Sequence, residues 1–276
     1  MFMSTLTREF TRPFFIIGCV RSGTTMLRDI LRKHPHLACP EETHLYRWGD
    51  PFGTAGFMAH CNNPLLKKHR EIDGIDDAEF KKILAKSTSR KDLVARYMAR
   101  FVEVSKPTAT RWFDKTPQNI YGAGLIASDF PDAKFVHMVR NPVEVVSSLR
   151  LGKVVKVPNL MAACAYWNEA AALMHELRRR QPERVLELRY EDFTARPEEG
   201  IRQVLAFIGE PYEPEFFSDV VTSESTHKDE KLFSPAEIKT IERTCLKGRR
   251  IYGYTAKGQP YWKRQAKAKA QAQASA

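Results

Sequence analysis

The densest chemistry in the 276-residue chain is one short run, Gly18-Cys-Val-Arg-Ser-Gly23-Thr24-Thr25. Glycines at 18 and 23 bound a turn that carries Arg21 and the hydroxyls of Ser22, Thr24 and Thr25. The run follows four apolar residues, Phe14 to Ile17, and precedes Met26, Leu27, Ile30 and Leu31 at helical spacing. Strand, glycine-bounded turn and helix together are the context of a phosphate loop. In it the backbone N–H groups and the helix dipole face an anion. The nucleotide-hydrolase version of the loop places lysine where Thr24 stands, and here the positive charge sits inside the turn, as Arg21. A phosphoryl-transfer site needs that lysine and a carboxylate-held magnesium. The loop is therefore expected to grip an anionic donor without a metal.

A second group of residues converges from further along the chain. Phe135 to Val139 reads as a buried strand running into Arg140-Asn141-Pro142, with a helix starting at the proline. Ser148, eight residues after Arg140, falls on the second turn of that helix, so guanidinium and hydroxyl can meet on one group. Arginine suits a phosphate because its planar fork donates two hydrogen bonds at once. Arg111 to Lys115 reads as another strand with Lys115 at its end, where open α/β sheets keep their ligands. Glu41 and Glu42 follow Pro40 in a loop beyond the sheet. That pair reads either as a helix N-cap or as the source of a general base, with His44 the rival base.

With those residues in place, the chain resembles the 3′-phosphoadenosine-5′-phosphosulfate (PAPS) sulfotransferases, in particular the tyrosylprotein branch and its bacterial relatives. The resemblance is carried, in order, by VRSGTTMLRDILRKHPHLACPEET, RWFDKTPQN (111–119), FPDAKFVHMVRNPVEVVSSL (130–149) and VLELRYEDF (185–193). It implies a three-layer α/β fold with a P-loop-like parallel sheet flanked by helices. It implies PAPS as donor, adenosine 3′,5′-bisphosphate (PAP) as product, and no metal. Arg21, Ser22, Gly23, Thr24 and Thr25 would hold the 5′-phosphosulfate, and Arg140 with Ser148 the 3′-phosphate. Glu42 would be the base that deprotonates an acceptor hydroxyl, and Lys115 would stabilise the leaving phosphate. Tyr190 would lie near the nucleotide, and Ser225, chosen over Ser223, near the sulfonate. Lys247 and Gly248 would close over the nucleotide. His44 stands where relatives carry an arginine that contacts an acceptor peptide, so a peptide is one acceptor among others: sugar, lipid or metabolite.

The remaining features set the frame. Residues 1–262 are expected to form one domain, with 50–110 a helical insertion capping the site and 263–276 a disordered low-complexity tail. Within 50–110 the turn signals are dense, and helices are expected over Asp76–Lys86 and Arg90–Val104. Lys67-Lys68-His69-Arg70 reads as a solvated face, or as a lining for an anionic acceptor. The net charge is +11, from 44 basic and 33 acidic residues, which suits a doubly phosphorylated donor as well as it suits nucleic acid. No aromatic-basic interleaving favours nucleic acid. Five scattered cysteines without CxxC spacing argue for reduced, buried thiols. No apolar stretch approaches a membrane span of about 20 residues, and a secretory signal is not recognisable. A cytoplasmic, bacterial protein is expected, in contrast to the membrane-anchored tyrosylprotein enzymes. The two other readings of these residues are a P-loop-type small-molecule kinase and a non-catalytic nucleotide- or nucleic-acid-binding protein. Neither oligomeric state nor the acceptor can be read.

Overall fold

A computed structural model describes residues 12–152, 155–222 and 233–254. Five strands form one parallel sheet: β1 (Phe14–Ile17), β2 (Leu37–Ala38), β3 (Arg111–Lys115), β4 (Lys134–Val139) and β5 (Val185–Arg189). Their order is β2-β3-β1-β4-β5, with Phe15 of β1 opposite Asp114 on one side and Phe135 on the other. β1 is the central strand, between β3 and β4, and the chain builds β2 and β3 on one side of it before crossing to β4 and β5 on the other. The crevice beyond the carboxyl ends at such a point is where this class of sheet binds ligands.

The central strand β1 is apolar on both faces because helices cover both. Alternation divides β1 between two cores. Phe14 and Ile16 pack with Leu27 and Leu31 of α1 (Thr24–Leu31). Phe15 and Ile17 face the opposite layer, where Phe15 meets Trp112, Phe130 and Phe135 at ring centroids of 5.8–6.0 Å. Replacing such a buried Phe by Ala typically costs about 3–5 kcal/mol.

Between β2 and β3 lie four helices: α2 (Ala55–Cys61), α3 (Pro64–Ile72), α4 (Asp77–Lys86) and α5 (Arg90–Ser105). The last two match the expected pair, and Asp76 and Ser89 cap them by accepting from Glu79 N–H and Asp92 N–H. The first two are not expected from the sequence, where Pro51, Gly53, Gly56 and Asn62-Asn63-Pro64 are turn signals; Thr54 and Asn63 are the residues that start them. They act as N-caps, accepting from Phe57 and Leu65 N–H. Leu93, Tyr97 and Phe101 of α5 are core, whereas Val104 is 40% exposed.

Then follow α6 (Ala123–Asp129), α7 (Pro142–Leu151), α8 (Leu160–Arg180), α9 (Tyr190–Ala195), α10 (Pro197–Ile208), α11 (Pro235–Thr244) and α12 (Leu246–Ile251). Pro142 and Pro197 each open a helix, and Gly209 ends α10 in the left-handed conformation. α11 stops at Thr244, and Leu246 starts a separate helix. All five cysteines are buried and unbridged. Among the described residues no helix is long and apolar enough to cross a membrane.

Candidate functional site

The loop after β1 enters α1 through Gly23, at φ 91. A β-carbon there would lie 2.3 Å from the Tyr190 ring, so only glycine lets the start of α9 close over the loop. Arg21 adopts φ 71, a left-handed conformation costly for a side-chain-bearing residue, and its guanidinium is exposed. Ser22 is fully buried, and its Oγ has no hydrogen-bond partner among the described residues. A buried orphan hydroxyl inside a turn of backbone amides is what an anion-binding loop offers its ligand.

Arg140 and Ser148 do converge, on Arg21. Ser148 Oγ accepts from Arg21 Nε at 2.8 Å, and Arg140 Nη1 donates to the Arg21 carbonyl at 3.2 Å. Arg140 also stacks over Tyr190, 4.4 Å from the ring centroid, and is aimed by Glu144, whose Oε2 accepts from Nε at 2.8 Å. Glu144 was not singled out in the sequence, although its i,i+4 spacing from Arg140 is a recognisable pairing signal. Trp167 Nε1 donates to the Arg140 carbonyl at 3.0 Å, which fixes the end of β4 against α8.

On the other side of β1, Lys115 is 1% exposed. Its Nζ donates to Thr25 Oγ1 at 3.2 Å and forms an ion pair with Glu42 Oε1. One ammonium group thus joins the phosphate loop to the carboxylate. Glu42 Oε2 faces His44 Nε2 at 3.3 Å, and the Glu42 carbonyl accepts from His69 Nδ1 at 2.9 Å. Burial by itself would raise the Glu42 pKa, but the His44 hydrogen bond and the Lys115 charge outweigh it and hold the carboxyl at about 2. His44 is buried and its own pKa is lowered by that burial, against the pull of Glu42, so the ring is neutral near pH 7.

The adjacent glutamates are separated by their surroundings. Glu41 is no helix cap: its carboxylate lies on Arg28 Nη1 of α1 at 2.8 Å and on Nη1 of Arg32, the residue that ends that helix, at 3.2 Å. Its N–H donates to Asp73 Oδ1 at 2.7 Å, and Tyr97 donates to the other oxygen of Asp73 at 2.6 Å. The loop is further pinned by Thr43, which donates to Asp114, and by His44 N–H, which reaches Thr116 Oγ1 at 3.4 Å. Asp114 is buried, and desolvation pushes its carboxyl up to about 6 although Thr43 and Thr116 bond it.

The KKHR run is a solvated face only in part: Lys68 is exposed, but its neighbours are engaged. Lys67 pairs with Asp77 at 3.4 Å, His69 holds the Glu42 backbone, and Arg70 is buried over the Phe80 ring. Gly248 packs on Trp167, where a β-carbon would come within 2.4 Å of the ring, and Lys247 is exposed beside it. Neither is joined to the phosphate-loop cluster by a described contact. Arg249 pairs with Glu242 at 2.7 Å, so this basic run is bonded within its own corner. Ser223, Ser225 and the tail lie outside the described residues. His34, His36 and Glu210 come close enough to suggest a metal site. Both His34 nitrogens are engaged, however, by His36 N–H at 3.3 Å and the Pro211 carbonyl at 3.2 Å, so the group is satisfied as it stands.

An open parallel sheet with a glycine-bounded loop after its central strand, Arg140 and Ser148 beyond β4, and Lys115 paired with Glu42 at the end of β3 is the architecture in which α/β proteins bind ligands at a switch point. The sequence profile of the sulfotransferase family matches residues 13–214, and the chain belongs to that family. It is 27% identical over 203 residues to the protein-tyrosine sulfotransferase of Drosophila melanogaster, covering 72% of this chain and 38% of the relative. It is 26% identical over 221 residues to nodulation protein NoeE of Sinorhizobium fredii, covering 72% and 50%. The chain thus spans at most half the length of these curated relatives. Among solved structures, the sulfotransferase domain of the Synechococcus PCC 7002 olefin synthase superposes with a TM-score of 0.64 at 20% identity, covering 89% of this chain and 95% of that domain.

Proposed function

We propose that the chain transfers a sulfuryl group from PAPS to an acceptor hydroxyl, with Glu42 as general base and without a metal. The observation that carries this reading is the shared Lys115 ammonium, bonded at once to Thr25 of the phosphate loop and to the Glu42 carboxylate. It puts a proton acceptor and an anion site side by side, and a group-transfer reaction between donor and hydroxyl needs both.

In this reading the loop amides, Arg21 and the orphan Ser22 hydroxyl receive the 5′-phosphosulfate. The 3′-phosphate lies by Arg140 and Ser148, and Tyr190 borders the nucleotide. The acceptor oxygen attacks sulfur in line as its proton passes to Glu42, and the bond from sulfur to the bridging phosphate oxygen breaks. PAP leaves with its new charge neutralised by Lys115 and Arg21. Ser225 is proposed near the sulfonate, Lys247 and Gly248 beside the nucleotide, and the helices of 50–110 as the cap over the acceptor. The acceptor is a hydroxyl compound, with sugar, lipid, metabolite and peptide all open, and a cytoplasmic bacterial setting suits the reading.

Calorimetry with PAP, adenosine 5′-phosphate and ATP–Mg²⁺ tests it. PAP should bind at least tenfold more tightly than the other two. Preferential binding of ATP–Mg²⁺ would instead support a kinase.

A further inference from the structure

The Lys115 ammonium, almost wholly buried, donates to Thr25 and to the Glu42 carboxylate. A departing phosphate beside Thr25 would compete with the carboxylate for its one positive charge. A carboxylate held at about 2 is a poor proton acceptor, because proton transfer is best when base and operating pH are matched. Glu42 freed of Lys115 would be the better base, and a donor phosphate beside Thr25 would draw the lysine away. What remains on the carboxylate is His44.

The placement of His44 fits that task. Its backbone is left-handed, at φ 53, a conformation that histidine adopts at a cost of about 1 kcal/mol or more. The turn brings the ring back on Glu42, two residues earlier, with Nε2 3.3 Å from Oε2. The ring is fixed between Trp48, at 5.9 Å between centroids, and His69, at 6.2 Å. Its Nδ1 is buried with no partner among the described residues, so the proton belongs on Nε2, where it is donated to Glu42. The charged or titratable groups facing His44 are Glu42, His69 and the Arg47 guanidinium, with Lys115 one bond further through Glu42.

We infer that His44 is a positioning residue, which keeps the Glu42 carboxylate aimed once the donor has drawn Lys115 away, so that donor binding itself arms the base. The inference rests on the donor reading above and adds to it an order of events. Acceptor deprotonation follows donor binding, and the carboxylate never swings free between the two.

The test is carbon-13 NMR of glutamate carboxyls in the full chain, with the Glu42 signal assigned by Glu42→Gln and PAP as the probe. In the wild type, saturating PAP should raise the pH at which Glu42 titrates by at least one unit. Asparagine tolerates the left-handed backbone, but it is too short to replace the ring. His44→Asn should leave PAP affinity within about twofold, leave the free-state signal single, and broaden or double the signal when PAP is bound. His44→Gln should restore one sharp line. Failure of PAP to bind the wild type would remove the donor reading and this inference with it. PAP binding that leaves Glu42 titrating where it did, or a His44→Asn signal identical to the wild type with PAP bound, would overturn this inference alone.

Discussion

The two sides of the site are built differently. On the β4 side the two arginines are partly exposed: Arg21 reaches Ser148 through one hydrogen bond, and Arg140 is aimed by the buried Glu144. On the β3 side a buried network fixes the loop that carries Glu42. Asp114 takes Thr43, Asp73 takes the Glu41 N–H, and Arg90 donates to the carbonyls of Leu45, Trp48 and Asp50. In the proposed reaction the first side wraps and releases a nucleotide and can be left adjustable, whereas the second aims a base and has to be pre-organised.

That contrast can be broken at Glu42 first. Glu42→Gln should lower turnover by about 10²–10⁴ in labelled-sulfate transfer from PAPS while PAP affinity stays within about threefold. Its neighbour sharpens the point. Glu41→Gln should cost about 1–2 kcal/mol in urea unfolding, given its partly exposed pairs with Arg28 and Arg32, and change turnover little.

Next comes the loop's anchorage. Arg90→Ala leaves three carbonyls without their donor and should cost about 3 kcal/mol or more in the same unfolding measurement. A loss below about 1 kcal/mol would mean that the acceptor side is no more rigidly held than the donor side. On that donor side, Arg140→Ala should weaken PAP binding roughly tenfold to a hundredfold by calorimetry and barely change adenosine 5′-phosphate. Equal losses for the two nucleotides would detach Arg140 from the 3′-phosphate.

The smallest effect is a dependence on pH. Asp114, pushed up to about 6, binds its proton more tightly folded than unfolded. Its contribution to stability is therefore complete below about pH 4 and lost as pH rises through 6. Glu42, held at about 2, works in the opposite sense: its contribution is present above about pH 4.5 and lost as pH falls toward 2. Thermal melts of Asp114→Asn should show a flatter profile between pH 4 and 6 than the wild type. An unchanged slope would show that Asp114 does not titrate there.

Much of this was legible in the order of residues, for a physical reason. Strand β1 is a continuous apolar run and β4 nearly one, because a parallel sheet covered on both faces leaves no polar alternation. Arg140 stands where β4 stops, Arg21 in the turn that follows β1, and Lys115 at the end of the short β3, after Trp112 and Phe113. Helix starts at Pro142 and Pro197 and the end at Gly209 are local backbone chemistry, visible without a partner. The helices α2 and α3 are hidden in the sequence because Gly53, Gly56 and Asn63-Pro64 suit turns and helix starts equally well. Only packing against the rest of the chain selects between the two.

What the sequence determined alone is the strand–loop–helix frame and the identity of the groups at its strand ends, since both depend on residues close together in the chain. What only the tertiary structure decided is how those groups are shared. Glu41 turns to Arg28 and Arg32 while Glu42 meets Lys115, His69 from a run of surface-like charges holds the Glu42 backbone, and Arg21 is bonded by both Arg140 and Ser148. Those assignments depend on distances between residues tens to more than a hundred positions apart. Electrostatics and hydrogen bonding act over a few ångströms of space, a range that sequence separation does not encode.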